Sequence, residues 1–204
     1  MYKLLLFKVL YYYNINMVYF QLLSQWLHKD EKQFGGSNVI VEIDEAKIGK
    51  RKYNKGRIVH GQWIFGGLVE RGSGHIFVLP VPDRTSSTLI NIIKKKIVFG
   101  TTIYSDKWKG YDSLNQMNYK HYTVNHSTHF VDPKTGVHTQ NIERTWRDLR
   151  SAIPKYGLSE QHYDHYLAEF LFKKTYDYPD RLDTFFNIMS QIYPLNENVS
   201  DNIA

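Results

Sequence analysis

The chain has 204 residues, enough for one domain with a full core and short extensions. Its 42% hydrophobic and 15% aromatic content excludes a disordered chain, and the absence of cysteine excludes disulfides and thiolate zinc sites. A formal net charge of +6 favours a polyanionic partner, nucleic acid before a membrane surface.

Residues 1–34 are apolar but interrupted by Lys8, Asn14 and Asn16, with no small-residue cleavage site after them. They read as one or two amphipathic helices rather than a signal peptide or a membrane span. Gly35-Gly36-Ser37 breaks the pattern. Residues 39–43 alternate as a strand that ends at Asp44. From Ala46 to Arg57 there are six basic residues and no acid: Lys47, Lys50, Arg51, Lys52, Lys55 and Arg57. That run reads equally as a solvated hairpin loop or as a basic flap for phosphates.

A long strand follows over Ile58–Val69, with Gly66-Gly67 marking a bulge. Arg71-Gly72-Ser73-Gly74 is a turn. His75–Val81 returns as an edge strand ended by prolines. Thr85–Ile97 is a helix, with Ser and Thr at its start, an i, i+4, i+8 apolar repeat and lysines in its last turn. Thr102–Asp106 is a buried strand delivering an acid to the sheet edge. A helix or turn passes through Trp108 and Tyr111, and Tyr119–Val124 is a further strand. After a loop over Asn125–His138, Thr139 is the expected N-cap of a helix whose stripe is Ile142, Trp146, Leu149 and Ile153. Glu143 sits at the edge of that stripe. Gln161–Thr175 and 181–193 read as two more helices, and the tail from Leu195 is polar. This order describes a mixed α/β domain.

Asp44, Asp106 and Glu143 suit phosphoryl transfer, because a few carboxylates suffice for hard divalent ions that stabilise the attacking and leaving oxygens. From the residues alone, other readings stand beside it. A strand-end Asp also forms turns or caps helices, and Glu143 can pair with Arg147 at i+4. His121, His126, His129 and His138 match no common zinc spacing.

From Gly35 to about Lys174 the chain resembles the Merlin-type DDE transposases of eukaryotes and the related ISXO-two-like bacterial insertion-sequence transposases. The matching segments are Val41-Glu42-Ile43-Asp44-Glu45, Lys52-Tyr53-Asn54-Lys55-Gly56-Arg57 and Gln62-Trp63-Ile64-Phe65-Gly66-Gly67, then Thr102-Ile103-Tyr104-Ser105-Asp106 with Trp108 and Tyr111. They continue through Val124-Asn125-His126-Ser127, Phe130-Val131-Asp132-Pro133 and Thr135-Gly136-Val137-His138-Thr139, to Ile142-Glu143 and Trp146. The 36 residues between Asp106 and Glu143 match that family's spacing.

The resemblance implies a ribonuclease H-like fold, a mixed five-stranded sheet flanked by helices. It implies metal-dependent DNA cleavage and strand transfer with two Mg²⁺ or Mn²⁺ ions on Asp44, Asp106 and Glu143. Glu45, His138 and Asn141 would support them, and Lys47, Lys50, Arg51, Lys52, Lys55 and Arg57 would contact DNA. The implied partners are transposon ends and target DNA, met by a homodimer or larger assembly, with no membrane and no small-molecule cofactor. The protein would be intracellular, nuclear in a eukaryote and cytoplasmic in a bacterium. The resemblance divides the chain into a helical remnant of a DNA-binding region at 1–36, the catalytic domain at 37–178 and a short helix with tail at 179–204. Two departures stand out: Gln140 where relatives have Asn, and only about 35 residues where relatives carry a zinc-ribbon or helix-turn-helix reader of transposon ends. The second points to an N-terminally truncated copy, and its alternative is an inactive or host-adopted remnant that only binds DNA.

Overall fold

The computed structural model describes residues 2–29, 31–49, 61–69, 75–126, 130–154 and 162–194. The strands are β1 (Ile40–Ile48), β2 (Gln62–Val69), β3 (Ile76–Val81), β4 (Thr102–Asp106) and β5 (Lys120–Val124). The helices are α1 (Tyr2–Lys29), α2 (Ser86–Lys96), α3 (Gln140–Ala152), α4 (Tyr163–Thr175) and α5 (Arg181–Ile192), with a 3-10 helix over Lys109–Gln116. The strands form one sheet in the order β3-β2-β1-β4-β5. The β1–β2 and β2–β3 pairs are antiparallel, while β4 runs parallel to both β1 and β5. That mixed order, with helices on both faces, is the ribonuclease H-like arrangement the resemblance implied. Among the described residues, no helix is long and apolar enough to cross a membrane.

Strand alternation divides the core in two. Val41 and Ile43 of β1 face α2, which supplies Leu89, Ile90 and Ile93 to a cluster with Phe65, Phe77 and Ile103. Ala46 and Ile48 point the other way and meet Ile142, Trp146 and Leu149 of α3, Leu167 and Leu171 of α4, and Leu22, Leu23 and Leu27 of α1. The C-terminal half of α1 is therefore built into the core under the sheet. Helix α2 starts as expected, with Thr85 Oγ1 accepting from the Thr88 N–H at 3.4 Å and Asp83 bracing the Thr85 N–H and hydroxyl.

Three details differ from the sequence reading. β1 does not stop at Asp44. Glu45 and Lys47 alternate with the buried Ala46 and Ile48, so the strand runs on into the start of the basic segment. Gly66 and Gly67 make no bulge, because the ladders on both sides of β2 pass through them without interruption. They are small because neighbours lie on them: a Cβ at Gly66 would come within 2.6 Å of the Trp146 ring, and one at Gly67 would strike Phe77. Thr139 occupies the N-cap position of α3, but its side chain does not cap the helix. A carboxylate from β1 does so instead. The expected starts and turns over 58–61 and 71–74 lie wholly or mostly outside the described residues, as does the tail from Leu195.

Candidate active site

Parallel strands place residues in register on the same face of a sheet. Glu42 of β1 pairs with Tyr104 of β4, and continuing that register by two residues sets Asp44 beside Asp106. Both project toward the α3 face, Asp106 as the last residue of β4 and Asp44 midway along the longer β1. Asp106 ends β4 with a turn in which its Oδ1 accepts the Trp108 N–H at 3.1 Å. Glu143, in the first turn of α3, completes a cleft of about 510 Å³. Its lining is Asp44, Glu45, Asp106, His126, Glu143, Trp146, Arg147 and Arg150, together with Ala46.

Asp44 is pressed between the sheet and Trp146, whose indole Nε1 donates to its Oδ2 at 2.8 Å. The ring has room because Gly66, the partner of Asp44 across the β1–β2 ladder, has no side chain. Burial pushes the Asp44 carboxyl up to about 7, the Trp146 bond opposes that rise, and the charges of Glu45 and Asp106 add to it. Glu45 leaves β1 on the opposite face. Its Oε2 accepts the buried Tyr111 hydroxyl at 2.6 Å, and its Oε1 lies 3.7 Å from Arg84. Burial and Asp106 raise the Glu45 carboxyl, while Tyr111 and Arg84 oppose them.

Glu143 is 40% exposed and meets His126 Nε2 at 3.2 Å rather than the Arg147 pairing open at the sequence level. The Thr139 hydroxyl donates to Glu143 at 3.3 Å and also bonds His126 at 2.8 Å. Of the other expected residues, His138 lies 3.4 Å from Glu42, and Asn141 donates to Glu42. Lys47 is exposed on β1, its ammonium 5.3 Å from the centre of the Trp63 ring, which Arg84 also approaches at 5.2 Å. Lys50, Arg51, Lys52, Lys55 and Arg57 lie outside the described residues.

The donor set fits a hard divalent cation. Asp44, Asp106 and Glu143 offer only oxygens along one cleft, and a bound cation would offset both the burial that chiefly raises Asp44 and the added repulsion from Glu45 and Asp106. As the side chains stand, no three acids or histidines among the described residues close on a single point. Glu143 is held across the cleft by His126 and Thr139 instead of beside the aspartates.

Several residues of the site escaped the sequence reading. Arg147 and Arg150 sit four and seven residues after Glu143, a helical spacing that places all three along one side of α3, and this was legible. Glu42 carried a weaker signal, an acid at an inward position between Val41 and Ile43 in a strand read as buried. Its partner could be found only in three dimensions.

A family model described as an ISXO2-like transposase domain matches residues 27–175. An uncharacterized transposase-like protein of Haemophilus influenzae is 30% identical over 95 residues, covering 46% of this chain and 76% of that protein. Among solved structures, a chain of a pre-cleavage Mos1 transpososome matches at 10% identity and a TM-score of 0.26, over 84% of this chain. This chain spans 60% of that one's length, and the fold assignment rests on the strand order.

Proposed function

Because the chain belongs to the ISXO2-like transposase family, we propose that its acid cleft cuts DNA at transposon ends and joins the freed 3′-hydroxyl to target DNA. The observation that carries this reading is the setting of Asp44 and Asp106, side by side when the parallel register of β1 and β4 is continued, with Glu143 and two arginines of α3 along the same cleft. Asp44, Asp106 and Glu143 are the residues that would hold a pair of Mg²⁺ or Mn²⁺ ions. When bound, such ions activate the attacking water or hydroxyl and stabilise the leaving oxygen.

The chain's own groups do the rest. Trp146 fixes the Asp44 carboxylate by its indole N–H and shields it from water on the helix side. Arg147 and Arg150 meet the phosphates flanking the scissile bond, and their positive charge offsets the approach of a polyanion to three acids. Glu45, tied to Tyr111 and Arg84, adds negative potential at the rim of the cleft beside Asp106. Lys47 and the basic segment after it extend the phosphate contacts along DNA. A homodimer or larger assembly on DNA is the working form.

The test is metal-dependent nicking of plasmid DNA by the purified chain. We expect weak cleavage with Mg²⁺ or Mn²⁺, little sequence preference, and none with Asp106→Ala. Folded protein with no cleavage above the Asp106→Ala background would leave a remnant that only binds DNA.

A further inference from the structure

Glu42 is a carboxylate with 0% exposure in the middle of a sheet, a costly place for a charge. Its hydrogen-bond partners are all donors from α3. Its Oε2 accepts the backbone N–H groups of Asn141 and Ile142, each at 3.0 Å, and its Oε1 accepts the Asn141 side-chain amide at 2.6 Å. His138 Nδ1 lies 3.4 Å from the same Oε1.

Those backbone N–H groups are the second and third of α3, the ones an N-cap side chain ordinarily satisfies. Thr139 stands at the cap position and could do that locally. Instead, a residue about a hundred positions earlier does it, and the Thr139 hydroxyl is released to Glu143 and His126. The choice has a geometric consequence. Glu42 is two residues before Asp44 on the same face of β1, and its acceptor bonds end one residue before Glu143. One turn further along α3, Trp146 makes the second polar link, to Asp44. The two links fix both the depth and the rotation of α3 on β1, where apolar contacts alone would let the helix slide or turn by part of a residue.

We propose that Glu42 is a positioning residue for the cleft: it pins the N-terminus of α3 to β1, so that Glu143 is presented opposite Asp44. This rests on the reading of Glu143 as one of the acids of the site. Glu42 itself takes no part in holding ions, since its oxygens are buried and occupied by α3.

The experiment compares Glu42→Leu, Glu42→Gln and Asn141→Ala with the unchanged full chain, without DNA. One readout is Mn²⁺ affinity from the electron paramagnetic resonance signal of free Mn²⁺. The other is the Trp146 indole N–H resonance, which reports the α3–β1 contact without any activity. Removing groups that orient metal-holding residues typically lowers metal affinity by about 10- to 100-fold. Glu42→Leu, similar in size but with no acceptor, is expected to lose about tenfold or more and to move the Trp146 resonance. Glu42→Gln keeps an oxygen for the two backbone N–H groups, and a turned Asn141 amide can meet its NH₂, so it should recover most of the loss. Asn141→Ala leaves β1 intact and should cost severalfold; it also decides the matter if Glu42→Leu does not fold. Unchanged Mn²⁺ affinity and an unmoved Trp146 resonance in Asn141→Ala and Glu42→Leu, or in Asn141→Ala alone if Glu42→Leu does not fold, would overturn the inference. Glu143→Ala separates the two layers. If it leaves Mn²⁺ affinity intact, the reading of Glu143 fails, while the Trp146 resonance of the Glu42 variants still decides whether Glu42 positions the helix.

Discussion

Replacing Asp44 by Asn should make the metal-free protein more stable at alkaline pH. Folding raises the Asp44 carboxyl from its ordinary 3.8 to about 7, chiefly by burial beside Glu45 and Asp106. An acid raised in this way favours the folded state while protonated. Its contribution is complete below pH about 4 and is lost as pH rises through about 7. At ~1.4 kcal/mol per pH unit, the penalty for an ionised Asp44 at pH 8 approaches about 4 kcal/mol, an upper bound because buried sites relax. Asn cannot ionise, and its carbonyl can still accept the Trp146 N–H. The assay is thermal unfolding by circular dichroism in EDTA from pH 5 to 8.5. With roughly 2–4 °C per kcal/mol for a domain of this size, Asp44→Asn should melt several degrees above the unchanged protein at pH 8. The gap should shrink toward pH 5. Saturating Mn²⁺ should then raise the melting temperature of the unchanged protein and barely move the variant. Equal melting temperatures at pH 8, or a gap that does not depend on pH, would refute the claim that this carboxylate is held at a cost.

Gly66→Ala should both weaken the fold and disturb Asp44, since its Cβ would lie 2.6 Å from the Trp146 ring against an unyielding strand. A loss of about 1–3 kcal/mol in urea unfolding is expected from such overpacking, and no measurable loss would contradict the close approach. Neutralising Lys50, Arg51 and Lys52 together should flatten the salt dependence of DNA binding by roughly 0.9 in log–log slope for each phosphate contact removed. An unaltered slope in a fluorescence-anisotropy titration would remove the basic segment from the DNA surface.

Helices α2 and α3 were readable from periodicity because each buries one face, and β1 from its β-branched apolar run. The stripe Ile142, Trp146 and Leu149 and the i, i+4 repeat after Thr85 each describe a helix with a wet side and a dry side. The length of β1 was not readable, because the lysines that begin at Lys47 look like loop chemistry, while Ala46 and Ile48 carry the alternation only weakly. Gly66 looked like backbone irregularity. What it answers to is Trp146, eighty residues away. Glu42 was hidden for the same reason: its meaning depends on the N-terminus of a helix about a hundred residues later. Local pattern fixes which side chains turn inward, but not what they meet there.

The central claim is that Asp44, Asp106 and Glu143 act as one unit, and single-turnover nicking tests it most directly. Rates with Mn²⁺ would be measured for the three alanine variants and for the triple variant. Residues of one catalytic unit are strongly non-additive, so each single substitution should reduce cleavage to near background and the triple variant should be no slower than the singles. A Glu143→Ala protein that nicks at the unchanged rate, or losses that multiply across the three positions, would contradict the account.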